Sequence, residues 1–465
     1  MSSFNPNLAY FLQRLSGVST NYFKLEPQNS TTAVAGNIIR FTLPNNCLLN
    51  LNSIALMLNA KITADAGNGR LPNRISSLVE RYSIEAGGVQ IAQGFNGYNV
   101  FCHLKDNLTC EHLDATLGHT EVCRGTSYVT GSAISTTETY SSGGGSTQFC
   151  INHWEGMLGS MSPSIIDTAL MPELVLTLYL APNEVCIDAA GADMAGTSST
   201  GIDLAATSAA PVYSINNFHL LVETIGIQDS VYDELLEKKI QSSGFVELPF
   251  KQYFSFNDTA STNNRWSVSS QSIDRVWVGY RTTGYNTAGG AVSVAGYKQS
   301  GAFCDNNSGE TTADIDLGIP QYDEGGVYDT NKEKLISKYF NFAQGASGGT
   351  PTYQLQVNGS LIPQFRANAE QMLAITKNSL PMSKMTKFEN MTLDQYKSNY
   401  FGWCVRFNLP DSEAGREVSG LDSRGINLAG QLLSENISST QNVMMFIECS
   451  STLRIGAAKQ VEVLV

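Results

Sequence analysis

The 465-residue sequence carries little charge, and little of that charge is positive. Charged residues make up 15% of the chain, whereas about a quarter is usual in soluble proteins. The 42 aspartates and glutamates outnumber the 29 lysines and arginines, so the formal net charge is −13. Because nucleic-acid binding depends on basic side chains that neutralise phosphates, we expect no sequence-specific nucleic-acid binding.

Long apolar runs and an export signal are also missing. No stretch approaches the ~18 apolar residues of a membrane-spanning helix. The apolar cluster at residues 8–12 is closed by Gln13 and Arg14 and lacks a basic lead, so it is too short for a signal-peptide core. We therefore expect a protein that is not secreted through a signal peptide.

The cysteines lack the pattern of a disulfide framework. There are nine, an odd number, and no two are spaced as Cys-x-x-Cys. Single buried thiols in a reducing compartment fit this usage better than the paired cysteines of a small secreted domain.

Sequence motifs of enzyme active sites are scarce, and we expect that this protein is not an enzyme. The chain contains no P-loop, H-E-x-x-H or G-x-G-x-x-G segment. One dense group could offer zinc two thiolates and two imidazoles: Cys102, His103, Cys110, His112, His119 and Cys123. Its spacing matches no known finger, and the alternative is reduced cysteines and polar histidines in a loop after a helix. We expect no metal, cofactor or catalytic residue.

Other polar and aromatic groups have structural interpretations that compete with functional ones. Asp422 and Arg424 could form a pair that stabilises a turn. Four acidic residues could bind calcium, although solvated turn charges are commoner: Asp314, Asp316, Asp323 and Glu324. Three more fit the acidic start of a helix: Asp229, Asp233 and Glu234. The four tryptophans could stack on sugars: Trp154, Trp266, Trp277 and Trp403. Alternation within apolar strands favours a core position for Trp277 and Trp403, whereas Trp154 could be exposed in a loop.

The dominant pattern is that of β-strands, with apolar residues at alternate positions. Strong examples are residues 38–43, 78–91, 174–180, 212–224, 273–280 and 400–407. Helix patterns are few and short, at residues 98–108, 229–240 and 368–376. The rhythm of alternating strands and helices that marks parallel-sheet enzymes is absent, so we expect an all-β fold.

The two halves of the chain resemble each other. Residues 82–107 align with residues 353–378, and each copy has the order strand, glycine turn, strand and short helix. Residues 175–182 also resemble residues 403–410, each a strand that ends at proline. These matches predict two similar units, with extra residues in the first half, and two consecutive eight-stranded jelly rolls fit the count.

Several stretches resemble the double-jelly-roll major capsid proteins of polinton-like viruses and virophages and, more distantly, those of large nucleocytoplasmic DNA viruses. They are residues 83–100, 174–185, 213–223, 231–236 and 419–425. The resemblance covers most of residues 35–465 and implies a trimeric, pseudo-hexameric capsomer that tiles an icosahedral shell in the virion. It further implies assembly inside a host cell, with neighbouring capsomers, penton proteins and minor capsid proteins as partners. The alternative is a two-domain β-sandwich that binds glycans, as an adhesin or lectin does.

The expected organisation has four parts. Residues 1–30 form an N-terminal arm, whose residues Leu8, Phe11, Leu12 and Leu15 line one helix face that could contact a neighbour, a minor protein or an inner membrane. The alternative for this segment is a disordered terminus. Residues 31–228 form the first jelly roll, with a loop insertion at 110–170. Residues 229–243 form a linker helix. Residues 244–465 form the second jelly roll, with a loop insertion at 282–330.

Overall fold

The computed structural model describes residues 18–64, 69–72, 74–92, 94–109, 147–188, 203–204, 211–227, 230–286, 291–293, 313–314, 319–320, 335–380, 393–408, 420–424, 430–456 and 459–465. The described residues of the first half form β1 Val18–Leu25, β2 Thr32–Val34, β3 Ile38–Thr42, β4 Leu48–Ala64, β5 Gly69–Arg70, β6 Val79–Ala86, β7 Val89–Ala92, β8 Thr147–Ile151, β9 Ile165–Asp167, β10 Leu174–Leu180, β11 Ile187–Asp188, β12 Asp203–Leu204 and β13 Val212–Ile227.

The described residues of the second half continue the series in the same style. They form β14 Phe245–Thr259, β15 Asn263–Trp266, β16 Ile273–Thr282, β17 Ala291–Ser293, β18 Ala313–Asp314, β19 Ile319–Pro320, β20 Leu335–Ser337, β21 Thr352–Val357, β22 Ser360–Ala367, β23 Gly402–Arg406, β24 Gly430–Glu435, β25 Gln441–Gly456 and β26 Val461–Leu464. The helices are α1 Tyr98–Thr109, α2 Met157–Ser160, α3 Ser230–Ser243, α4 Ala369–Ser379 and α5 Leu393–Asn399.

The same strand order occurs twice. In the first half, one sheet runs β1-β13-β4-β8 and the other runs β3-β10-β6-β7. In the second half, the corresponding sheets run β14-β25-β16-β23 and β15-β24-β21-β22. Each pair of antiparallel sheets encloses a core and has the strand order of a jelly roll. The expected all-β fold of two consecutive jelly rolls is therefore confirmed.

The hairpin repeat is also confirmed at the level of the backbone. β6 and β7 meet at Gly87 and Gly88, which have φ of 55° and 86°. β21 and β22 meet at Asn358 and Gly359, which have φ of 49° and 84°. Two consecutive positive φ angles make the tight turn that matches the twist of a hairpin, and glycine and asparagine adopt them at little cost. A helix follows each hairpin, α1 in the first roll and α4 in the second.

The second expected match between the halves is wrong. Residues 175–182 include β10, which pairs with β3 and β6. Residues 403–410 include part of β23, which pairs with β16 in the other type of sheet. The strand that takes the place of β10 in the second roll is β24, and the strand equivalent to β23 is β8. Both strands in the mistaken match end near a proline, and that similarity misled the alignment.

Two expected loop or arm segments contribute to the sheets. β1 lies within residues 1–30, and it pairs with β13 from Val18 to Leu25. β8 and β9 lie within residues 110–170, and both pair with β4. These parts of the two segments belong to the first sheet because each supplies a full ladder of main-chain hydrogen bonds.

α4 begins where the local sequence favours a helix. Asn368 caps α4 by accepting a hydrogen bond from the Gln371 amide at 2.9 Å, and the Gln371 side chain accepts one from the Asn368 amide at 3.0 Å. This reciprocal pair is a capping box. α3 joins the last strand of the first roll to the first strand of the second, as the predicted linker helix does.

Candidate functional site

The site that the fold builds is a junction between the two rolls, in which α1 of the first roll packs on the outer face of the second roll's β14-β25-β16-β23 sheet. The ring of Phe101 lies 4.5 Å from Tyr253, 5.1 Å from Phe446 and 5.8 Å from Trp277, between ring centroids. Phe95 lies 5.5 Å from Tyr253. Aromatic pairs at these separations add to the hydrophobic stabilisation of burial, so the two rolls share one apolar core.

Two glycines in the receiving sheet make room for the helix. Gly279 and Gly402 are neighbours across β16 and β23. A β-carbon at residue 402 would lie 2.3 Å from a methyl carbon of Leu104, and one at residue 279 would lie 3.2 Å away. Leu104 is fully buried between them. The close approach of α1 to the sheet therefore depends on the missing side chains.

A buried charge pair lies at the same junction. Lys105 of α1 places Nζ 2.7 Å from Oε1 of Glu155, and the Tyr253 hydroxyl of the second roll donates to Oε2 at 3.4 Å. The main-chain amide of Glu155 donates to the Tyr98 hydroxyl at 3.1 Å. Burial disfavours the charged carboxylate, but Lys105 and His153 outweigh it and hold the pKa of Glu155 at about 2.

A second buried carboxylate lies beneath α1 within the receiving sheet. Glu448 accepts from Nη1 of Arg275 at 3.0 Å and from the indole nitrogen of Trp277 at 3.1 Å. Arg275 also donates from Nε to the carbonyl oxygen of Ser379 at 3.1 Å. Burial raises the pKa of Glu448, but the charges of Arg275, Lys251 and Lys105 and the hydrogen bond from Trp277 together outweigh it, so the net pKa lies below the ordinary value. These bonds fix the side chains on which α1 rests.

Main-chain bonds complete the junction. The Lys251 amide donates to the Ser160 hydroxyl at 2.7 Å, and the Ser162 amide donates to the Pro249 carbonyl at 3.2 Å. A small sheet, β12-β17-β20, joins strands from both halves. A cavity between the rolls has a volume of about 20 Å³, enough for about one water molecule. The junction is a packed contact and leaves no room there for a ligand.

Two arrangements with a catalytic appearance have structural explanations. Lys251 lies 2.8 Å from the Ser450 hydroxyl, but its ammonium is ion-paired with the buried carboxylate of Asp274, so it is no base for that hydroxyl. Residues 345–349 match G-x-S-x-G, but Ser347 is exposed in a loop before β21. The nucleophile elbow of hydrolases needs a strand-to-helix turn at this serine.

The structure accounts for two members of the possible zinc group. Cys102 is part of α1, and burial raises the pKa of its thiol. His103 contacts the Ser77 hydroxyl and stacks on Phe340 at 3.9 Å between ring centroids. The other four lie outside the described residues: Cys110, His112, His119 and Cys123. Among the residues that the structure describes, no three His, Cys, Asp or Glu side chains are placed to hold a metal.

Of the remaining site residues predicted from the sequence, some have a structural role and others lie outside the described residues. Arg424 forms an ion pair with Asp422 at 2.9 Å, as expected of a turn-stabilising pair. Trp154 is buried, and its indole donates to the Ile54 carbonyl at 2.8 Å, so the possible exposed position is excluded for this side chain. The other tryptophans are buried too. Most acidic candidates lie wholly or in their side chains outside the described part: Asp229, Asp233, Asp314, Asp316, Asp323 and Glu324.

Apart from Trp277, the junction residues carry no sequence motif that marks them. Lys105 and Glu155 read as ordinary helix and loop charges, and Gly279 and Gly402 read as two of 41 glycines. The available signal was the position of the glycines within strongly apolar strands, where glycine often marks the close approach of another element.

Comparison with known proteins gives a fold and no sequence family. No protein-family model and no curated protein matches the chain. PBCV-1 VP54, in a crystal structure fitted into a reconstruction of the virophage Sputnik, is 13% identical; the match covers 97% of this chain and 98% of that one, with a TM-score of 0.56. A quasi-atomic model of the PBCV-1 capsid has the same identity and coverage and a TM-score of 0.54.

The Faustovirus major capsid protein is similar as well. It is 11% identical, with 98% of this chain and 92% of that chain covered and a TM-score of 0.51. The chain therefore has the double-jelly-roll fold of these capsid proteins along nearly its whole length. Among the described residues, no helix has the length and apolar character that a bilayer crossing requires.

Proposed function

We propose that this chain is the major capsid protein of an icosahedral virus and that three copies form a pseudo-hexameric capsomer. The observation that carries the proposal is the match of both rolls, in one continuous alignment, to capsid proteins. The shared core supports it, because a shell subunit made of two rolls must hold both of them at a fixed orientation. The role is assembly, with no catalytic step.

The finer organisation belongs to the same proposal. Residues 31–228 and 244–465 are the two rolls, residues 229–243 link them, and residues 1–30 include an arm. The partners are neighbouring capsomers, penton proteins and minor capsid proteins, with the arm as the candidate contact to an inner membrane. The residues of 110–170 and 282–330 that lie outside the sheets are candidates for outward loops. The chain would be assembled inside the host cell and reside in the virion.

The mass of the purified protein in solution tests the proposal. Size-exclusion chromatography with light scattering should give three times the chain mass of 50.3 kDa. Electron microscopy of concentrated samples should then show hexagonal blocks or lattices. A monomer at every concentration, with binding on a glycan array, would instead support the β-sandwich lectin.

A further inference from the structure

The junction within the chain has a counterpart on the first roll that none of the described residues covers in the same way. On the second roll, Tyr253 and Arg275 lie on either side of Glu448, on adjacent strands of the receiving sheet. α1 and its surroundings bury this group, and Glu448 is only 3% exposed.

The first roll carries the same arrangement on the outer face of its β1-β13-β4-β8 sheet. Tyr22 and Asn50 lie on either side of Glu223, in the same strand positions. The Tyr22 hydroxyl donates to Glu223 at 3.1 Å, and the Asn50 amide donates to it at 2.7 Å. Tyr22 is 72% exposed. Each sheet therefore carries a glutamate flanked by a tyrosine and a second polar side chain. This group is buried in the second roll and open in the first.

Strand pairing extends the equivalence across this face. Counting along the strands from Glu223 in the first roll and from Glu448 in the second, Leu221 is equivalent to Phe446 and Ala55 is equivalent to Trp277. Next to them, three partly exposed side chains of the first roll occupy the positions that Gly279, Gly402 and Met444 have in the second roll. They are, in the same order, Met57, Cys150 and His219. A surface recess of about 380 Å³ opens beside this set. The small Ala55 leaves space where Trp277 fills it in the second roll.

The helix that could fill this face is α4. It is equivalent to α1, and Met372, in the position of Phe101, is buried within its own roll. Its flank remains partly open, with Leu373 and Ile375 only partly buried. The adjoining strand β22 exposes 37% of Leu361 and 53% of Phe365. Among the described residues, α1 packs on the sheet face of the second roll, whereas α4 keeps a partly open flank and the matching sheet face of the first roll is partly open.

We infer that α4 and β22 of one copy pack on the outer face of the β1-β13-β4-β8 sheet of a second copy, on the plan of the junction within the chain. The inference rests on the proposed function, because it names the surfaces through which the copies associate. The contact is head to tail: each copy offers a helix at one side and a sheet face at the other. Such a contact closes into a ring when the rotation between copies allows it.

Charge complementarity supports the second copy as the occupant. In the alignment of residues 82–107 with residues 353–378, Arg366 corresponds to Phe95, and Phe95 lies over Tyr253 in the junction. Arg366 of one copy would therefore lie over Tyr22 and beside Glu223 of the other. Its guanidinium is 52% exposed and is ion-paired with Glu435 at the surface. An arginine can stack on tyrosine and bind a carboxylate in one position.

Charge reversal tests the pairing. Arg366→Glu, Glu223→Lys and the double variant are purified, and mass photometry over a dilution series gives the concentration at which half of the oligomer dissociates. We expect each single reversal to raise that concentration by roughly 30-fold or more, as for a desolvated charge pair. The double variant should recover most of the loss. Arg265→Glu, an exposed arginine on β15, is the matched control and should leave it unchanged.

Each outcome separates this inference from the proposed function. A wild-type oligomer that tolerates both single reversals overturns the inference and leaves the capsomer standing. A wild-type chain that is monomeric at all concentrations overturns the proposed function and the inference with it. If circular dichroism shows that Glu223→Lys does not fold, Glu223→Gln replaces it. That variant keeps the side-chain shape and should still weaken association, with Arg366→Glu adding little further loss.

Discussion

The contact of Leu104 with Gly402 predicts that two damaging substitutions partly compensate each other. Gly402→Ala places a β-carbon 2.3 Å from a Leu104 methyl carbon, where ordinary contacts begin near 3.4 Å. Leu104 has no free space to move into, because its other side meets Gly279 and it is fully buried. Such overpacking costs about 1–3 kcal/mol. Leu104→Ala removes the clash but opens a cavity, at a cost of about 2–5 kcal/mol.

In the double variant the new methyl group enters the new cavity. We expect its loss of stability to be smaller than the sum of the single losses by about 0.5–3 kcal/mol. Calorimetry should show this, since a unit of one roll's size changes its midpoint by about 2–4 °C per kcal/mol. Gly456→Ala is the control, because its nearest neighbour is at 3.7 Å. Strict additivity of the two changes would refute the contact as described.

Two further predictions concern titratable groups. With its pKa held at about 2 by Lys105 and His153, Glu155 stabilises the fold above its ordinary pKa of 4.5 and loses this effect as the pH falls towards 2. The difference in free energy of unfolding between wild type and Glu155→Gln, measured by urea denaturation, should therefore become smaller as the pH falls from about pH 6 to about pH 3. A difference that does not change with pH contradicts the ion pair of Glu155 with Lys105. Burial raises the pKa of Cys449 to about 12, so a thiol reagent at neutral pH should modify Cys47 before Cys449. Peptide mass spectrometry shows the order, and early modification of Cys449 would count against its burial.

Local patterns were enough to predict the architecture. Alternating apolar residues gave the long strands, and the repeat of residues 82–107 gave the two rolls with their helices. These features depend on neighbours in sequence, and the turn at Gly87 and Gly88 is a case in which backbone demands select the residue type. The same patterns failed for the match of residues 175–182 with 403–410. Alternation says that a strand has one buried face, but it does not say which sheet the strand joins.

The junction lay beyond sequence reasoning for a related reason. Glu155 and Lys105 are 50 residues apart, and their pairing exists only because β8 brings the following segment back beside α1. The sequence left open whether Trp154, next to Glu155, is exposed in a loop, and the same return of the chain buries it against β4. Tertiary placement, which no local pattern carries, decides the role of each of these side chains.

The linker helix α3 has a consequence for how the two kinds of helix-on-sheet contact respond to concentration. Because α3 ties the rolls together, α1 meets its sheet at an effective concentration set by the tether, and dilution does not separate them. A contact that uses α4 between copies has no tether and forms by ordinary mass action. Joining two similar rolls in one chain therefore makes one contact permanent and leaves the other reversible, and expression level can regulate only the second.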